Sequence, residues 1–414
     1  MLYRQRLIEE LGARRGEFVE FGREWSAEVA DYARRLASLD GRTAAEIKDD
    51  AEAGLAEVRA RAVGALPTAE IEREGRFVVP FGRRWRSHEE ARGWAVDALT
   101  NRATFAADGS QLLPGREVSM PVAAVQVAWF ENPHSPTGEG YRKEWDFRLV
   151  TPKELSETES GPAGAGDLVS LRRFELELEA ARAFLRRRAG WRERGERVPV
   201  AFFDGTLLLS TTRVRGEKSK IPSAYIKAIV ETVRLSEETR VPLVGFIDQS
   251  YARDVVRLLD ALARRERTTP VVFDAQLFSA GAGGGGPLFA GWGDRTVFCH
   301  CWREGLTEDF LDEAGVPLVG FVYLQTTAPG GAPARLDIPA WVERAGLIDE
   351  VADAVRGECV VGNGYPYALE TADEAAVITA RDREQFLRAM QDFAGANELA
   401  FNVSRKAISK IHRR

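Results

Sequence analysis

The spacing of hydrophobic residues changes once along the chain. In the N-terminal part, Ile47, Ala51, Leu55, Val58 and Ala62 recur at steps of three and four while charged residues fill the other face, which is the pattern of an amphipathic helix. Residues 1–66 are therefore predicted to be helical. From about residue 100, short apolar runs bounded by turn residues alternate with helical stretches, which predicts that the rest of the chain is an α/β domain.

The segment after residue 100 contains the elements of a mixed sheet. The run VPVAFFDGTLLL is almost continuously apolar, as expected for a strand that is buried on both faces. Three early strands are followed by helices and strands in alternation, which favours a mixed sheet with helices packed on it. The predicted strands lie in residues 103–108, 120–130, 144–150, 198–209, 241–248, 296–302, 317–325 and 334–339, and the predicted helices at 167–188, 222–238, 251–264 and over most of 341–394.

The charge balance limits the ways in which this chain can bind a polyanion. Its 414 residues include 57 basic and 63 acidic ones, which gives a net charge of −6. That balance argues against nucleic-acid binding through bulk charge, although it is compatible with a local basic groove. No apolar run approaches the ~20 residues that span a bilayer, and the N-terminus lacks the apolar core of a signal peptide. We therefore expect a cytoplasmic protein.

The three cysteines are Cys299, Cys301 and Cys359, and the first two flank His300 in an apolar, strand-like run. Successive side chains of a strand point to opposite faces, and a zinc site would need a second pair of ligands at suitable spacing, which the sequence lacks. The cysteines are therefore predicted to be reduced and buried, as is usual in the cytosol.

Two segments share a pattern in which an apolar run is followed by aspartate, glycine and a hydroxyl residue. They end in Asp108-Gly109-Ser110 and Asp204-Gly205-Thr206, and a third apolar run ends in Asp248. An aspartate at the end of a buried strand lies at the sheet edge, so neighbouring strands would bring two carboxylates together. Like charges resist ionisation unless a cation neutralises them, and hard divalent metals prefer oxygen ligands. The pattern therefore favours a metal site.

Each of these features also has a purely structural interpretation. Asp-Gly is a common turn dipeptide, and Asp248 suits a cap for the helix that follows it. The helix between the two Asp-Gly units carries Glu175, Glu177 and Glu179 beside two arginines. A glutamate of this helix could be a third ligand over the sheet edge, or a member of a solvated, charge-paired helix face.

The chain resembles the NurA family of nucleases over roughly residues 95–400. The resemblance rests on the order and spacing of FAADGSQ, LRRFELE, VAFFDGTLL, GDRTVF, ARLDIPAW and GYPYALETADEAAVIT. It implies a ribonuclease-H-like mixed sheet flanked by helices, preceded here by an N-terminal helical extension. The expected domains are an N-terminal helical region (1–95), a nuclease domain (96–400) and a basic tail (401–414).

The resemblance also implies which carboxylates bind metal. Asp108 and Asp204 match the two metal-binding aspartates of the family pattern. Glu177 matches its helical glutamate, with Glu175 as the alternative. These residues are therefore expected to be metal ligands and catalytic residues.

Two C-terminal residues complete the expected site. Tyr365 matches a tyrosine of the family pattern, and Asp373 stands where that pattern has a histidine eight residues later. Aspartate can still bind a hard cation, but it cannot serve as an imidazole acid or base. Asp373 is therefore expected as a fourth metal ligand. For Tyr365 two interpretations stay open: contact with a phosphate or a base, and packing before Pro366.

The resemblance implies a metal-dependent phosphodiesterase that acts on DNA, as a 5′–3′ exonuclease and single-strand endonuclease in end resection at double-strand breaks. The expected cofactor is a divalent metal, with Mn²⁺ preferred and Mg²⁺ as the second choice. Such an ion lowers the pKa of bound water, and a second ion ~3.5–4 Å away would stabilise the departing oxygen. The expected partners are DNA, a HerA-type hexameric ATPase and a second copy of the chain in a homodimer.

Basic residues that could contact the DNA backbone occur in three places. They surround Trp85, which could stack on a base, and they form a run at 186–188 and part of the C-terminal tail. The tail could equally contact the ATPase. The candidates are Arg83, Arg84, Arg86, Arg186, Arg187, Arg188, Lys406, Lys410, Arg413 and Arg414.

Two other functions fit the same sequence. The chain could be a catalytically weak or inactive adaptor that docks and regulates the ATPase, which the aspartate at position 373 would explain. It could also be a nuclease of the same fold that acts on structured DNA or on RNA. A nucleotide-hydrolysing motor is disfavoured because the sequence has no GxxxxGK[ST] phosphate loop.

Overall fold

The structure is a computed structural model that describes residues 3–58, 62–115, 118–138, 140–157, 164–209, 221–266, 270–279, 287–306, 308–328 and 330–402. The chain divides into two compact units, and each is formed by two segments of sequence. The first unit comprises Met1–Ser87 and Phe246–Ile348, and the second comprises His88–Gly245 and Asp349–Arg414. The predicted domain boundaries stay a prediction, and residues 403–414 of the predicted tail lie outside the described residues.

The described residues form fourteen α-helices and eleven strands, which confirms the predicted α/β class. The helices are α1 (Arg4–Ala13), α2 (Arg15–Ala37), α3 (Ala44–Glu57), α4 (Glu70–Glu74), α5 (His88–Leu99), α6 (Pro152–Ser156), α7 (Ala165–Arg188), α8 (Ile221–Thr239), α9 (Asp254–Leu262), α10 (Asp274–Ser279), α11 (Ala340–Arg344), α12 (Ile348–Val361), α13 (Tyr367–Ala376) and α14 (Ala380–Ala396). The strands are β1 (Gly64–Pro67), β2 (Val78–Val79), β3 (Thr104–Leu112), β4 (Ala123–Asn132), β5 (Arg142–Val150), β6 (Val200–Asp204), β7 (Leu243–Ile247), β8 (Arg295–Thr296), β9 (Cys299–Trp302), β10 (Val319–Leu324) and β11 (Ala334–Pro339).

The second unit contains the mixed sheet that the sequence predicts. Strands β3, β4 and β5 form an antiparallel meander, and β6 pairs with β3 in parallel. Strand β7 is the other neighbour of β6. The amide of Ala201 donates a hydrogen bond to the carbonyl of Pro242, just before β7 begins. Helices α7 and α13 both pack against β3 and β4. The sheet is therefore covered by helices, as its apolar strands require.

Strand β3 does not turn at Asp108-Gly109, as the Asp-Gly dipeptide had suggested. It pairs with β4 without interruption from Thr104, opposite Asn132, to Leu112, opposite Ala124. Pairing with β6, in contrast, ends at Ala107 opposite Phe203. The continuous ladder to β4 keeps the backbone extended, so the local turn preference of Asp-Gly is overridden here by strand pairing. The second Asp-Gly pair follows prediction, since β6 ends at Asp204.

The first unit contains an antiparallel set of strands. β1 pairs with β9, β9 with β10, and β10 with β11, while β8 pairs with both β2 and β10. Strands β10 and β11 are buried along their whole length, and the cysteines of β9 are buried as well. All three cysteines of the chain are buried thiols that form no disulfide, as predicted.

The prediction that residues 1–66 are helical is wrong for its last part. Helix α3 begins with a capping box between Thr43 and Glu46 and ends at Glu57, and β1 starts at Gly64. Gly64 has a φ of +90°, and a Cβ there would stand 2.4 Å from the carbonyl oxygen of Asp254. The close approach of β1 to α9 therefore requires glycine at this position, a constraint that helical periodicity does not reveal.

The cap predicted for Asp248 is also wrong. Helix α9 begins at Asp254, and Arg253 occupies its N-cap position. The carboxylate of Asp274 instead accepts hydrogen bonds from the backbone amides of Asp254, Val255 and Val256, at 2.8, 3.1 and 3.0 Å. A carboxylate from a distant segment thus satisfies the free amides of the helix start.

Among the described residues, none of the helices has the length and the apolar character of a membrane span.

A pair of glycine substitutions tests the packing of α3 on α9. A Cβ at Gly54 would lie 1.9 Å from the carbonyl oxygen of Ala261, whereas one at Gly22 in α2 would meet nothing within 4 Å. We expect Gly54→Ala to lower the free energy of unfolding by about 1–3 kcal/mol. Gly22→Ala should leave it unchanged or raise it by up to about 1 kcal/mol, because alanine favours helix. Urea unfolding of both variants measures the difference, and equal stabilities would contradict the described packing.

Candidate functional site

The two aspartates of the repeated pattern lie side by side in the second unit. The last paired residues of β3 and β6 are Ala107 and Phe203, so Asp108 and Asp204 each follow that pair by one residue. Paired strands lie about 4.8 Å apart, which brings the two residues close together. Asp108 is half-buried and Asp204 is exposed. The structure therefore places both aspartates where the parallel pairing stops.

Glu177 reaches this point from helix α7. A Cβ on Gly109 would stand 2.6 Å from Oε1 of Glu177 and 2.7 Å from Cγ of Arg173. The missing side chain of Gly109 is therefore what allows α7 to approach β3 so closely. Glu177 itself is buried, with a relative exposure of 7%.

Asp373 reaches the same point from helix α13. Its carboxyl group adds to the effect of burial on the pKa of Asp108, through its charge and through a hydrogen bond that the two groups form when one is protonated. Successive residues of a strand point to opposite faces, and Asp108 meets α13 whereas Gly109 faces α7. The two helices therefore lie on opposite faces of the sheet, and their acidic side chains converge on the same two residues of β3.

Tyr365 completes the group of predicted residues. Its hydroxyl donates a hydrogen bond of 3.2 Å to Oδ1 of Asp204. The side chain is half-buried and stands just before Pro366, the N-cap residue of α13. Tyr365 is thus positioned by the start of the same helix that carries Asp373, and its hydroxyl is directed at the cluster.

The environment of two of these carboxyl groups, Glu177 and Asp108, raises their pKa. Burial raises the pKa of Glu177 to about 8; the charges of Asp108 and Asp204 add to the rise, and Arg173 opposes it. Burial also raises the pKa of Asp108 to about 6, and the hydrogen bond and charge of Asp373 act in the same direction. Crowded, partly desolvated carboxylates ionise only when positive charge is supplied. At neutral pH the cluster therefore takes up either protons or cations.

The donor set has the chemistry of a hard-cation site. It consists of carboxylate oxygens with one phenolic oxygen, which suits Mg²⁺ or Mn²⁺ rather than a metal that prefers sulfur. Within the described residues, no group of three or more acidic, histidine or cysteine side chains could hold a metal ion as they stand. What Asp108, Glu177, Asp204 and Asp373 share with a divalent-cation site is the chemistry of their oxygen donors.

Other predicted candidates lie elsewhere or have other partners. Glu175 pairs with Arg172 at 2.8 Å, and Glu179 pairs with Arg148 at 2.9 Å, so neither joins the cluster. Asp248 belongs to the first unit. Of the two alternatives for the helical glutamate, the structure therefore brings Glu177 to the aspartates.

The basic residues that were predicted to contact DNA have different surroundings. Arg187 and Arg188 form ion pairs of 2.6 and 2.7 Å with the buried Glu131, which explains part of the basic run by local charge balance. Trp85 packs on Trp292, with ring centroids 5.0 Å apart. Arg83, Arg84 and Arg86 are exposed. The tail residues Lys406, Lys410, Arg413 and Arg414 lie outside the described residues.

The sequence analysis assigned no role to Arg173, which lies at the centre of the cluster. Its Nη1 atom is 3.0 Å from Oε1 of Glu177 and 3.9 Å from Oδ1 of Asp108. The signal available in the sequence was its position four residues before Glu177, which places both on one face of α7.

A family model described as the NurA domain matches residues 102–378 of the 414. The matched region begins just before β3 and ends just after α13, and it includes all five predicted site residues. No curated protein matches the chain.

The crowding of carboxylates predicts how one substitution changes stability. The pKa of Asp108 is raised in the folded protein, so the folded state is destabilised as this group loses its proton. In EDTA, Asp108→Asn should therefore be more stable than the wild type by about 1–3 kcal/mol above pH 7. The gain should shrink as the pH falls from about 6 to about 4, where the wild-type group is protonated in both states. Urea unfolding across this pH range measures it.

Glu175→Gln is the matched control, because Glu175 lies outside the cluster on the same helix as Glu177. It should show no comparable pH-dependent gain. A destabilised Asp108→Asn protein at pH 8 would contradict the electrostatic description of the cluster.

Proposed function

The chain belongs to the NurA family, and from that premise we propose that it is a metal-dependent nuclease that hydrolyses phosphodiester bonds of DNA. The observation that carries the proposal is the convergence of Asp108, Glu177, Asp204 and Asp373 at the end of β6. Burial raises the pKa of two of these groups, Asp108 and Glu177, and a cation would offset the repulsion among the four carboxylates. Hydrolysis of a phosphodiester by a nuclease of this family would use such a cation.

The four carboxylates would hold one or two divalent ions, with Mn²⁺ preferred and Mg²⁺ as the second choice. A bound ion lowers the pKa of water and stabilises charge on the departing oxygen. Glu177 and Asp373 approach from opposite faces of the sheet, so they would fix the ions between two helices. Asp108 lies on the strand between these two helices, so its carboxylate would act as a ligand together with either residue.

Tyr365 and Asp373 determine which groups for proton transfer the chain itself supplies. The Tyr365 hydroxyl donates to Asp204, so it orients that carboxylate and can re-orient toward a phosphate oxygen. Asp373 offers no imidazole for proton transfer. In this proposal water or Tyr365 therefore carries the protons that a histidine would otherwise carry, and Asp373 acts as a ligand.

The topology supports a ribonuclease-H-like core. Three antiparallel strands are followed by the short helix α6, by the long helix α7 and then by a strand parallel to the first. Acidic residues stand on the first strand, on α7 and at the end of the parallel strand. We extend the proposal to end resection at double-strand breaks as a homodimer with a HerA-type hexameric ATPase; these partners follow from family membership.

Cleavage assays on defined substrates test the proposal. Labelled single-stranded and duplex DNA are incubated with the protein in Mn²⁺, in Mg²⁺ or in EDTA, with and without the ATPase. We expect cleavage in Mn²⁺ and none in EDTA. Asp108→Asn, Glu177→Gln and Asp204→Asn should each lower kcat/KM at least about a hundredfold, because each removes charge that stabilises the reacting centre.

The controls are Glu175→Gln and Glu179→Gln, which change acidic residues of the same helix outside the cluster. They should retain wild-type rates. Inactivity of the wild type in every metal, both alone and with the ATPase, would instead support the adaptor function. Faster cleavage of RNA or of branched DNA than of linear DNA would change the substrate class but not the site.

A further inference from the structure

Arg173 is tied into the carboxylate cluster through a single nitrogen. Its Nη1 atom donates to the carbonyl of Gly109 at 3.0 Å and to Oε1 of Glu177 at 3.0 Å. The same atom lies 3.9 Å from Oδ1 of Asp108. The aliphatic stem lies against Gly109, where a Cβ would come within 2.7 Å of it. One end of the guanidinium is therefore fixed between β3 and α7.

The other edge of the guanidinium is available. Within the described residues, Nε and Nη2 make no hydrogen bond or ion pair, and the side chain is 35% exposed. This edge presents two parallel N–H groups, which match two oxygens of a phosphate. Because the side chain is already held in place, it loses little conformational freedom when it binds an anion.

Charge at the cluster also favours a cationic contact for the substrate. Four carboxylates repel a phosphodiester, and Arg173 is the cation that the structure places within 4 Å of two of them. Arg172, the next residue, pairs instead with Glu175 at 2.8 Å. Two adjacent arginines of one helix thus have different surroundings, and only one of them faces the cluster.

We propose that Arg173 binds a phosphate of the nucleic-acid strand through Nε and Nη2 while Nη1 holds Glu177 in place. This inference rests on the proposed nuclease function and adds a residue that contacts the substrate. In the competing interpretation, Arg173 only neutralises Glu177. The two differ in what happens once the charge of Glu177 has been removed.

Glu177→Gln provides the background for the test, because it removes the buried charge that Arg173 balances. Binding of a fluorescein-labelled single-stranded oligonucleotide in Mn²⁺ is measured for E177Q, R173Q/E177Q and R172Q/E177Q between about 50 and 300 mM NaCl. Loss of one phosphate contact should lower the slope of log K against log [NaCl] by about 0.7. It should also weaken binding about tenfold. R172Q/E177Q should match E177Q in both quantities.

A second measurement uses the active protein. Arg173→Lys keeps the charge but loses the paired donors, so KM should rise at least about fivefold with little change in thermal stability. Arg172→Lys is the control and should behave as wild type.

Equal salt slopes for the two double variants, or an unchanged KM in Arg173→Lys, would overturn the inference. Cleavage by the wild type would still uphold the proposed function in that case. A wild type that neither binds nor cleaves DNA would refute the proposed function itself.

Discussion

The candidate site depends on a difference in length between two neighbouring strands. β6 ends at Asp204, whereas β3 continues to Leu112 with β4 as its partner. Beyond Ala107, β3 therefore has no strand on its β6 side within the described residues. Helices on both faces of the sheet can place acidic side chains over this open edge. Gly109 makes the approach from one face feasible, because any side chain there would collide with Glu177 and Arg173.

Counter-charge, rather than burial alone, decides how an acidic residue of this chain behaves. Asp254 in the first unit is fully buried, yet the guanidinium groups of Arg303 and Arg335 outweigh the effect of burial and hold its pKa at about 2. Asp108 is less buried, and its pKa is raised to about 6, first by burial and then by the neighbouring carboxyl group of Asp373. In the first arrangement the buried charge is paired and hydrogen-bonded. The second has less positive charge nearby, as is common at functional sites.

The sequence predicted those features that depend on local pattern. The apolar runs marked the strands, and helical spacing marked α7, because both periodicities follow directly from burial on one face. The prediction failed at Asp108-Gly109, where pairing with β4 outweighs a turn preference, and at Asp248, where a distant carboxylate caps α9. Arg173 was overlooked for the same reason. Its contacts join α7 to the backbone of β3 across 64 residues, and no local pattern encodes such a contact.

Asp373 changes the charge requirement of the whole cluster. With all groups ionised, the four carboxylates and Arg173 carry three negative charges, so one divalent ion would leave the cluster negative and repel a phosphodiester. Two ions would leave it positive. A neutral histidine at position 373 would leave one negative charge fewer, so that a single ion would suffice for neutrality. In the proposed nuclease, the aspartate would therefore favour a site that accepts an anionic substrate only when more cations, or more protons, are bound. It also increases the importance of Arg173, the fixed positive charge between Glu177 and Asp108.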